Sequence, residues 1–262
     1  MSEQPQIRFE DGAAYETYMG LWSRKVGEQF LDWLKPAANL SWLDVGAGNG
    51  AFTALLAERT KPAAILGIDP SPAQLDYARK RQDVGDARFE PGHAMEIPAA
   101  DASFDAAVMA LVIAFVPDPA KGVGEMVRAV KPGGLVAGYM WNWPEGFPFF
   151  PLDEVVAGRG FPRVSPPSYE ASRLHRMQEL WQGAGLTAVE SRAITVERSF
   201  PDFETFWAIA LTGPRMASWA PGLAPEMRET LRADLKANLG AEDGKPVTLK
   251  ATANALKGRV AA

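Results

Sequence analysis

Two carboxylates and a string of glycines carry the sharpest chemical signal in the chain. Leu43-Asp44-Val45-Gly46-Ala47-Gly48-Asn49-Gly50 runs from an apolar segment into glycines at 46, 48 and 50. Glycine lets a backbone turn sharply and approach a bound molecule with no side chain in between. A helix starting beyond it presents unpaired N–H groups to that molecule. This is the physics of nucleotide-type sites at the carboxyl edge of an open sheet. Asp44 stands where it can accept hydrogen bonds from a cationic ammonium group. Gly67-Ile68-Asp69-Pro70-Ser71 ends the next apolar run with a second acid, placed to take both hydroxyls of a ribose. The spacing is G-x-G-x-G, not the G-x-G-x-x-G of dinucleotide sites, and no G-x-x-x-x-G-K-S/T phosphate loop occurs.

Two acids at neighbouring strand ends require strands that alternate with helices. Apolar runs predict strands at Ser41–Val45, Ala64–Ile68, Ala87–Pro91, Phe104–Met109 and Leu135–Met140. Helices are expected at Phe52–Arg59, at Pro72–Arg81 with Ser71 as N-cap, and at Ala120–Val130, followed by a turn at Lys131-Pro132-Gly133-Gly134. Such alternation means a mostly parallel sheet covered on both faces, with right-handed crossovers. Before it, Tyr15, Tyr18, Met19, Trp22, Val26, Phe30, Trp33 and Leu34 form an apolar stripe, read as a helix pair packed on the core. After it, Trp141–Pro167 is rich in aromatics, Pro and Gly. A helix at Arg173–Ala184 follows, then a strand within Ala188–Val196 and a helix at Phe200–Leu211. Gly213–Pro225 reads as loop, Glu226–Leu239 as helix and Val247–Val260 as a last strand. One domain over 1–262 is expected, with a helical cap at 1–36 and a ligand-binding core at 37–140. An aromatic region with its helix at 141–186 and an insertion at 197–246 complete it.

Composition narrows the chemistry further. The chain has 262 residues, no cysteine and two histidines, His93 and His175. That removes thiolate nucleophiles, iron–sulfur clusters and cysteine zinc sites, and no metal site is expected. His175 sits in Arg173-Leu174-His175-Arg176, where a surface role is expected. The net charge of −5 argues against nucleic acid as a partner. Met1-Ser2-Glu3-Gln4-Pro5 lacks the charged and apolar regions of a secretory signal. The longest uncharged apolar run, Ala106–Val116, is far short of the ~20 residues a spanning helix needs. A soluble cytoplasmic protein, monomer or homodimer, is expected.

At this point the chain resembles the class I S-adenosylmethionine-dependent methyltransferases, most closely the small-molecule type related to ubiquinone and menaquinone biosynthesis. Five motifs in order carry the likeness. They are Leu43–Gly50, Gly67–Ser71, Asp101-Ala102-Ser103-Phe104-Asp105, Phe115-Val116-Pro117-Asp118 and Val130-Lys131-Pro132-Gly133-Gly134-Leu135. The resemblance implies a seven-stranded Rossmann-like α/β sheet in order 3-2-1-4-5-7-6, with strand 7 antiparallel. Strand 6 would fall in Ala188–Val196 and strand 7 in Val247–Val260. It implies S-adenosyl-L-methionine as cofactor, with Asp44, Gly46, Ala47, Gly48 and Gly50 around its methionine part and Asp69, Pro70 and Ser71 at its ribose. His93, Ala94 and Met95 would lie beside adenine, His93 replacing an acid common in the family. Ala110 and Leu111 would line the methionine side. Tyr15–Arg24 resembles the family's cap helix, making Tyr18 a cofactor neighbour and Arg24 the candidate for the cofactor's carboxylate.

The acceptor would lie past strand 5, beneath the cap, near Trp22, Trp141, Trp143, Phe149 and Trp207. Phe147, Phe150, Phe203, Phe206 and Trp219 belong to the same aromatic stretches. Such side chains suit a flat or apolar small molecule, and equally suit a cap's own core. No Asn/Asp-Pro-Pro-Tyr/Phe follows strand 4, where Ala110-Leu111-Val112-Ile113 stands instead. Three readings follow: methyl transfer to a small, apolar or aromatic molecule; a non-catalytic S-adenosylmethionine-binding or regulatory protein; and an NAD(P)-dependent oxidoreductase. The glycine spacing disfavours the last.

Overall fold

A computed structural model describes residues 16–213, 216 and 222–262. Tyr15 and Trp219 lie outside the described residues. Its centre is one seven-stranded sheet in the order β3-β2-β1-β4-β5-β7-β6. The strands are β1 Ser41–Val45, β2 Ala64–Asp69, β3 Arg88–Pro91, β4 Phe104–Ala110, β5 Val130–Trp141, β6 Thr187–Phe200 and β7 Val247–Arg259. Strands β1 to β5 pair in parallel, and β7 runs antiparallel to both β5 and β6. The expected strand order and the antiparallel strand 7 are both present.

The helices are α1 Leu21–Leu34, α2 Ala51–Thr60, α3 Pro72–Ala78, α4 Pro119–Ala129, α5 Phe150–Gly158, α6 Leu174–Gly183, α7 Phe203–Leu211 and α8 Pro225–Asn238. Central strands such as β4 are buried along nearly their whole length, as a sheet covered on both faces requires. Tyr139 of β5 packs on Phe30 of α1 and Phe52 of α2, which marks one covered face. On the other, Trp181 of α6 lies over Gly138 and donates its indole N–H to the Val136 carbonyl at 3.2 Å.

Several boundaries differ from the sequence reading. Instead of a helix pair, one π-helical turn, Glu16–Gly20, leads straight into α1. The predicted turn at 131–134 is drawn into β5, because Gly133 donates to Val260 and Val260 to Gly134 at 3.0 Å each. The preceding helix therefore stops at Ala129 rather than Val130. Strand β6 continues past Val196 to Phe200 because β7 pairs with it throughout, ending at Phe200↔Val247. Helix α7 then starts at Phe203, where Asp202 accepts from the Thr205 N–H at 2.7 Å. Helix α3 ends three residues early, at Ala78. Helix α5 arises inside the stretch read as irregular.

No helix among the described residues is long and apolar enough to cross a membrane. Replacing the fully buried Trp181 with Phe removes the indole donor to the Val136 carbonyl and leaves a gap beside Gly138. The expected cost is about 1–3 kcal/mol, read from urea unfolding midpoints with the m-value unchanged.

Candidate functional site

The site is built where β1 and β2 end side by side. Gly46 and Ala47 both donate their N–H groups to the Ile68 carbonyl, at 2.8 and 2.9 Å, pinning the glycine loop to β2. Gly46, Gly48 and Gly50 have φ of 76°, 54° and 79°, in the left-handed region where other residues are strained. A Cβ on Gly46 would stand 2.5 Å from the Val112 side chain, whereas one on Gly48 would meet nothing within 4 Å. Gly46 is thus required by the loop packed over it, and Gly48 faces open space. Gly50 caps α2, and Asn49 accepts from the Ala51 N–H at 3.1 Å.

The two acids differ in environment. Asp69 accepts from the Gly48 N–H through Oδ2 at 2.9 Å and from the Ser71 N–H through Oδ1 at 2.8 Å. Burial raises its pKa, and the Ser71 and Gly48 amides oppose that rise. An ionised carboxylate has about four acceptor positions, so roughly two stay open for a diol. Asp44 is fully buried. Burial pushes its carboxyl up to about 7, against the Thr53 hydroxyl donating at 2.7 Å and with the Asp69 charge adding to the rise. Its other oxygen, Oδ1, is buried with no hydrogen-bond partner among the described residues. A buried acceptor in that state calls for a donor from a bound molecule.

Other predicted positions fall around this edge. Pro70 is exposed and Ser71 half-buried, the latter accepting from the Gln74 N–H at 3.4 Å as the N-cap of α3. His93 faces solvent, 3.7 Å from Glu96, while Ala94 is buried and Met95 packs against the core. Ala110 ends β4, and Leu111 takes a φ of 62° while donating to the Tyr139 carbonyl at 2.8 Å. A left-handed leucine costs about 1–2 kcal/mol, the kind of local strain that gathers at binding sites. Tyr18 is buried in the first cap turn. His175 is exposed on α6.

Arg24 is a correction. Its guanidinium is held by Glu58 at 3.0 Å and Glu28 at 2.9 Å on an exposed flank of α1, so it is not offered to a ligand carboxylate. The substrate aromatics need a second correction. Trp22, Trp141, Phe149 and Trp207 are buried against their neighbours, with Tyr18 and Phe149 stacked at 4.1 Å. They form the packed core of the cap rather than an open lining. Trp143, by contrast, borders a cleft of about 300 Å³, shared with Glu145, Tyr169 and Arg173 among others. That cleft is lined by no residue of the glycine loop and by neither acid.

Sequence reasoning missed Glu16 and Arg81. Glu16 accepts from Asn49 of the glycine loop at 3.1 Å and lies 3.7 Å from Arg81. Their separation along the chain leaves no local signal.

Comparison with known proteins decides the family. A methyltransferase-domain profile matches residues 43–138, which contain both acids and all three glycines. An uncharacterized methyltransferase of Mycobacterium tuberculosis is 40% identical over 112 residues, covering 43% of this chain. The match takes in 44% of that relative's length, so the chain spans less than half of it. A demethylmenaquinone methyltransferase of Bacillus velezensis is 31% identical over 171 residues, 58% of this chain and 73% of the relative. The chain belongs to the class I S-adenosylmethionine-dependent methyltransferases. The fold agrees. The Haemonchus contortus phosphoethanolamine N-methyltransferase 2, solved with S-adenosyl-L-methionine, aligns at a TM-score of 0.58 and 20% identity, over 95% of this chain and 56% of that one.

S-adenosylmethionine is the cofactor of this methyltransferase family, and the residues present suit it. A buried acceptor without a donor at Asp44 Oδ1, open acceptor positions on Asp69 and bare backbone at Gly48 are the chemistry that an ammonium group, a ribose diol and a closely held ligand would require. Gly46→Ala is expected to destabilise the fold by about 1–3 kcal/mol and weaken S-adenosylhomocysteine binding with it. Gly48→Ala, costing about 1–2 kcal/mol for its backbone alone, is expected to lose affinity out of proportion to stability. Thermal melts beside calorimetric titrations separate the two.

The Asp44 pKa also predicts a pH dependence. The folded chain holds this proton more tightly than the unfolded chain does, so Asp44 favours folding below its unfolded value of 3.8, and that contribution is lost as pH rises through about 7. Ligand-free wild type should therefore lose stability relative to Asp44→Asn as pH rises. Binding an ammonium needs the ionised form, so cofactor affinity should weaken below about pH 7 in wild type and show no such slope in Asp44→Asn.

Proposed function

We propose that this methyltransferase acts on a small molecule with an apolar or aromatic body. The observation that carries the cofactor half of this reading is the buried, unpartnered Asp44 Oδ1 beside the glycine loop. In this reading Asp44 receives the cofactor's ammonium and Asp69 its ribose hydroxyls, with Pro70 and Ser71 beside them. Gly46, Ala47, Gly48 and Gly50 border the methionine portion together with Ala110 and Leu111. Ala94 and Met95 give an apolar wall for adenine, and His93 stands at its rim. Tyr18 closes the edge from the cap.

Bound S-adenosylmethionine supplies a methyl group on a sulfonium, open to in-line displacement by a nucleophilic acceptor. The chain's part is alignment and exclusion of water, and alignment alone accounts for up to about 7–11 kcal/mol in favourable cases. Both histidines face solvent, so neither is assigned as a general base. The acidic net charge and the apolar Ala110-Leu111-Val112-Ile113 segment favour a small acceptor over nucleic acid.

The test has two stages. Calorimetry with S-adenosylmethionine, S-adenosylhomocysteine and NAD should give sub-millimolar binding for the first two and none for NAD. Product formation from S-adenosylmethionine is then followed across phenolic, quinol, amine and carboxylate acceptors. Failure of the sulfonium cofactor to bind defeats the reading at its base. Tight binding with no turnover anywhere in the panel would point to a binding or regulatory protein instead.

A further inference from the structure

Arg198, on β6, is a charged group that the cofactor site does not use. Ile194, Val196 and Arg198 alternate with outward residues and so share one face of the sheet. Ile194 pairs with Ala253 of β7, which pairs with Trp141 of β5. Trp141 shares its face with Tyr139, which packs on Phe30 of α1. Arg198 therefore lies on the α1 side of the sheet, beyond Trp141 toward the carboxyl edge. One of its N–H groups donates to the Tyr18 carbonyl at 3.4 Å. Glu16, two residues earlier in the same turn, accepts from Asn49 of the glycine loop. A single turn of helix thus separates Arg198 from the glycine loop.

Its charge is poorly compensated. Arg198 is half-buried, burial lowers its pKa, and among the described residues no carboxylate pairs with it. Acids nearby in the chain are committed elsewhere: Glu197 to Lys250, Asp202 to the N-terminus of α7 and Glu204 to Arg232. The guanidinium carbon sits over the Phe200 ring, 4.4 Å from its centre. Of its five N–H groups, one donates to the Tyr18 carbonyl, and no side-chain acceptor among the described residues takes another. A desolvated cation without a counter-charge is costly unless a ligand supplies one.

The surroundings indicate what kind of ligand. Phe200 meets Phe206 edge-on at 5.1 Å, Phe206 stacks on Phe149 at 5.9 Å, and Phe149 stacks on Tyr18 at 4.1 Å. The cation is thus set at the rim of an aromatic stack. What complements an unpaired guanidinium is an oxyanion.

We propose that Arg198 selects the methyl acceptor and that the acceptor is an anion, a carboxylate on an aromatic or apolar body. The planar fork matches a carboxylate in two parallel hydrogen bonds. This rests on the methyltransferase reading above and adds to it the charge of the second substrate.

The test uses the full chain saturated with S-adenosylhomocysteine and two probes of one shape, 2-naphthoate and 2-naphthamide, titrated by calorimetry. Turnover is compared for matched aromatic acids and amides that carry a methylatable group. Wild type should bind the acid at least about tenfold more tightly than the amide. Arg198→Gln, which removes the planar cation, should erase that preference with S-adenosylhomocysteine affinity unchanged. Arg198→Lys should restore part of it. A merely structural Arg198 would shift melting temperature and leave the acid-to-amide ratio alone. Equal binding of the two probes, no millimolar binding of either, or a preference that survives in Arg198→Gln overturns the proposal. Loss of S-adenosylhomocysteine binding by wild type, measured before either probe is added, defeats the parent reading as well.

Discussion

Everything at the site hangs on one carbonyl and one carboxylate at the end of β2. The Ile68 oxygen takes two successive amides of the glycine loop, and the Asp69 carboxylate takes a third from that loop and a fourth from the start of α3. These bonds fold the β1–α2 connection back onto its neighbour strand and tie α3 to the same point. Without them the three left-handed glycines would have no reason to hold one conformation. Loop amides need partners once buried, and only the parallel β1–β2 pairing brings these acceptors within reach.

A second constraint follows from burial. Asp44 stands on a strand covered on both faces, so its charge is opposed by desolvation rather than by any structural penalty of position. Thr53 satisfies one oxygen and nothing among the described residues satisfies the other. A chain optimised for stability alone would place an apolar residue here, as its neighbours Leu43 and Val45 show. Retaining a carboxyl with an empty acceptor is a cost that makes physical sense when a cationic ligand offsets it. The same logic applies on a smaller scale to the left-handed Leu111 at the end of β4.

The cap follows a different principle. Its aromatics close on one another from Tyr18 through Phe149 and Phe206 to Phe200, and α1 contributes the fully buried Trp22, Val26 and Phe30. Each such side chain is worth roughly 1.5–3 kcal/mol on burial, enough to hold the cap turn against the sheet edge. Polar contacts then set its register, through Glu16 to Asn49 on one side and Tyr18 to Arg198 on the other.

The sequence by itself determined the first five strands, the two acids and the three glycines, because each depends on local pattern, whereas the strand order came only with the resemblance to a family. Apolar runs broken by glycine mark strand ends, and an acid following such a run is placed by the strand's own length. Tertiary structure decided what local pattern does not encode. Arg24 has the right charge and an inviting position in the chain, yet Glu58 on another helix captures it. Trp22 and Phe149 have the composition of a ligand wall, and packing across the cap makes them core. The stretch at 131–134 has the residues of a turn, and β7, contributed from the far end of the chain, draws it into the sheet. Glu16, Arg81 and Arg198 acquire their significance only from partners distant in sequence. The physical reason is common to all of them: conformation is written in neighbouring residues, whereas charge pairing and burial are set by whatever the fold brings alongside.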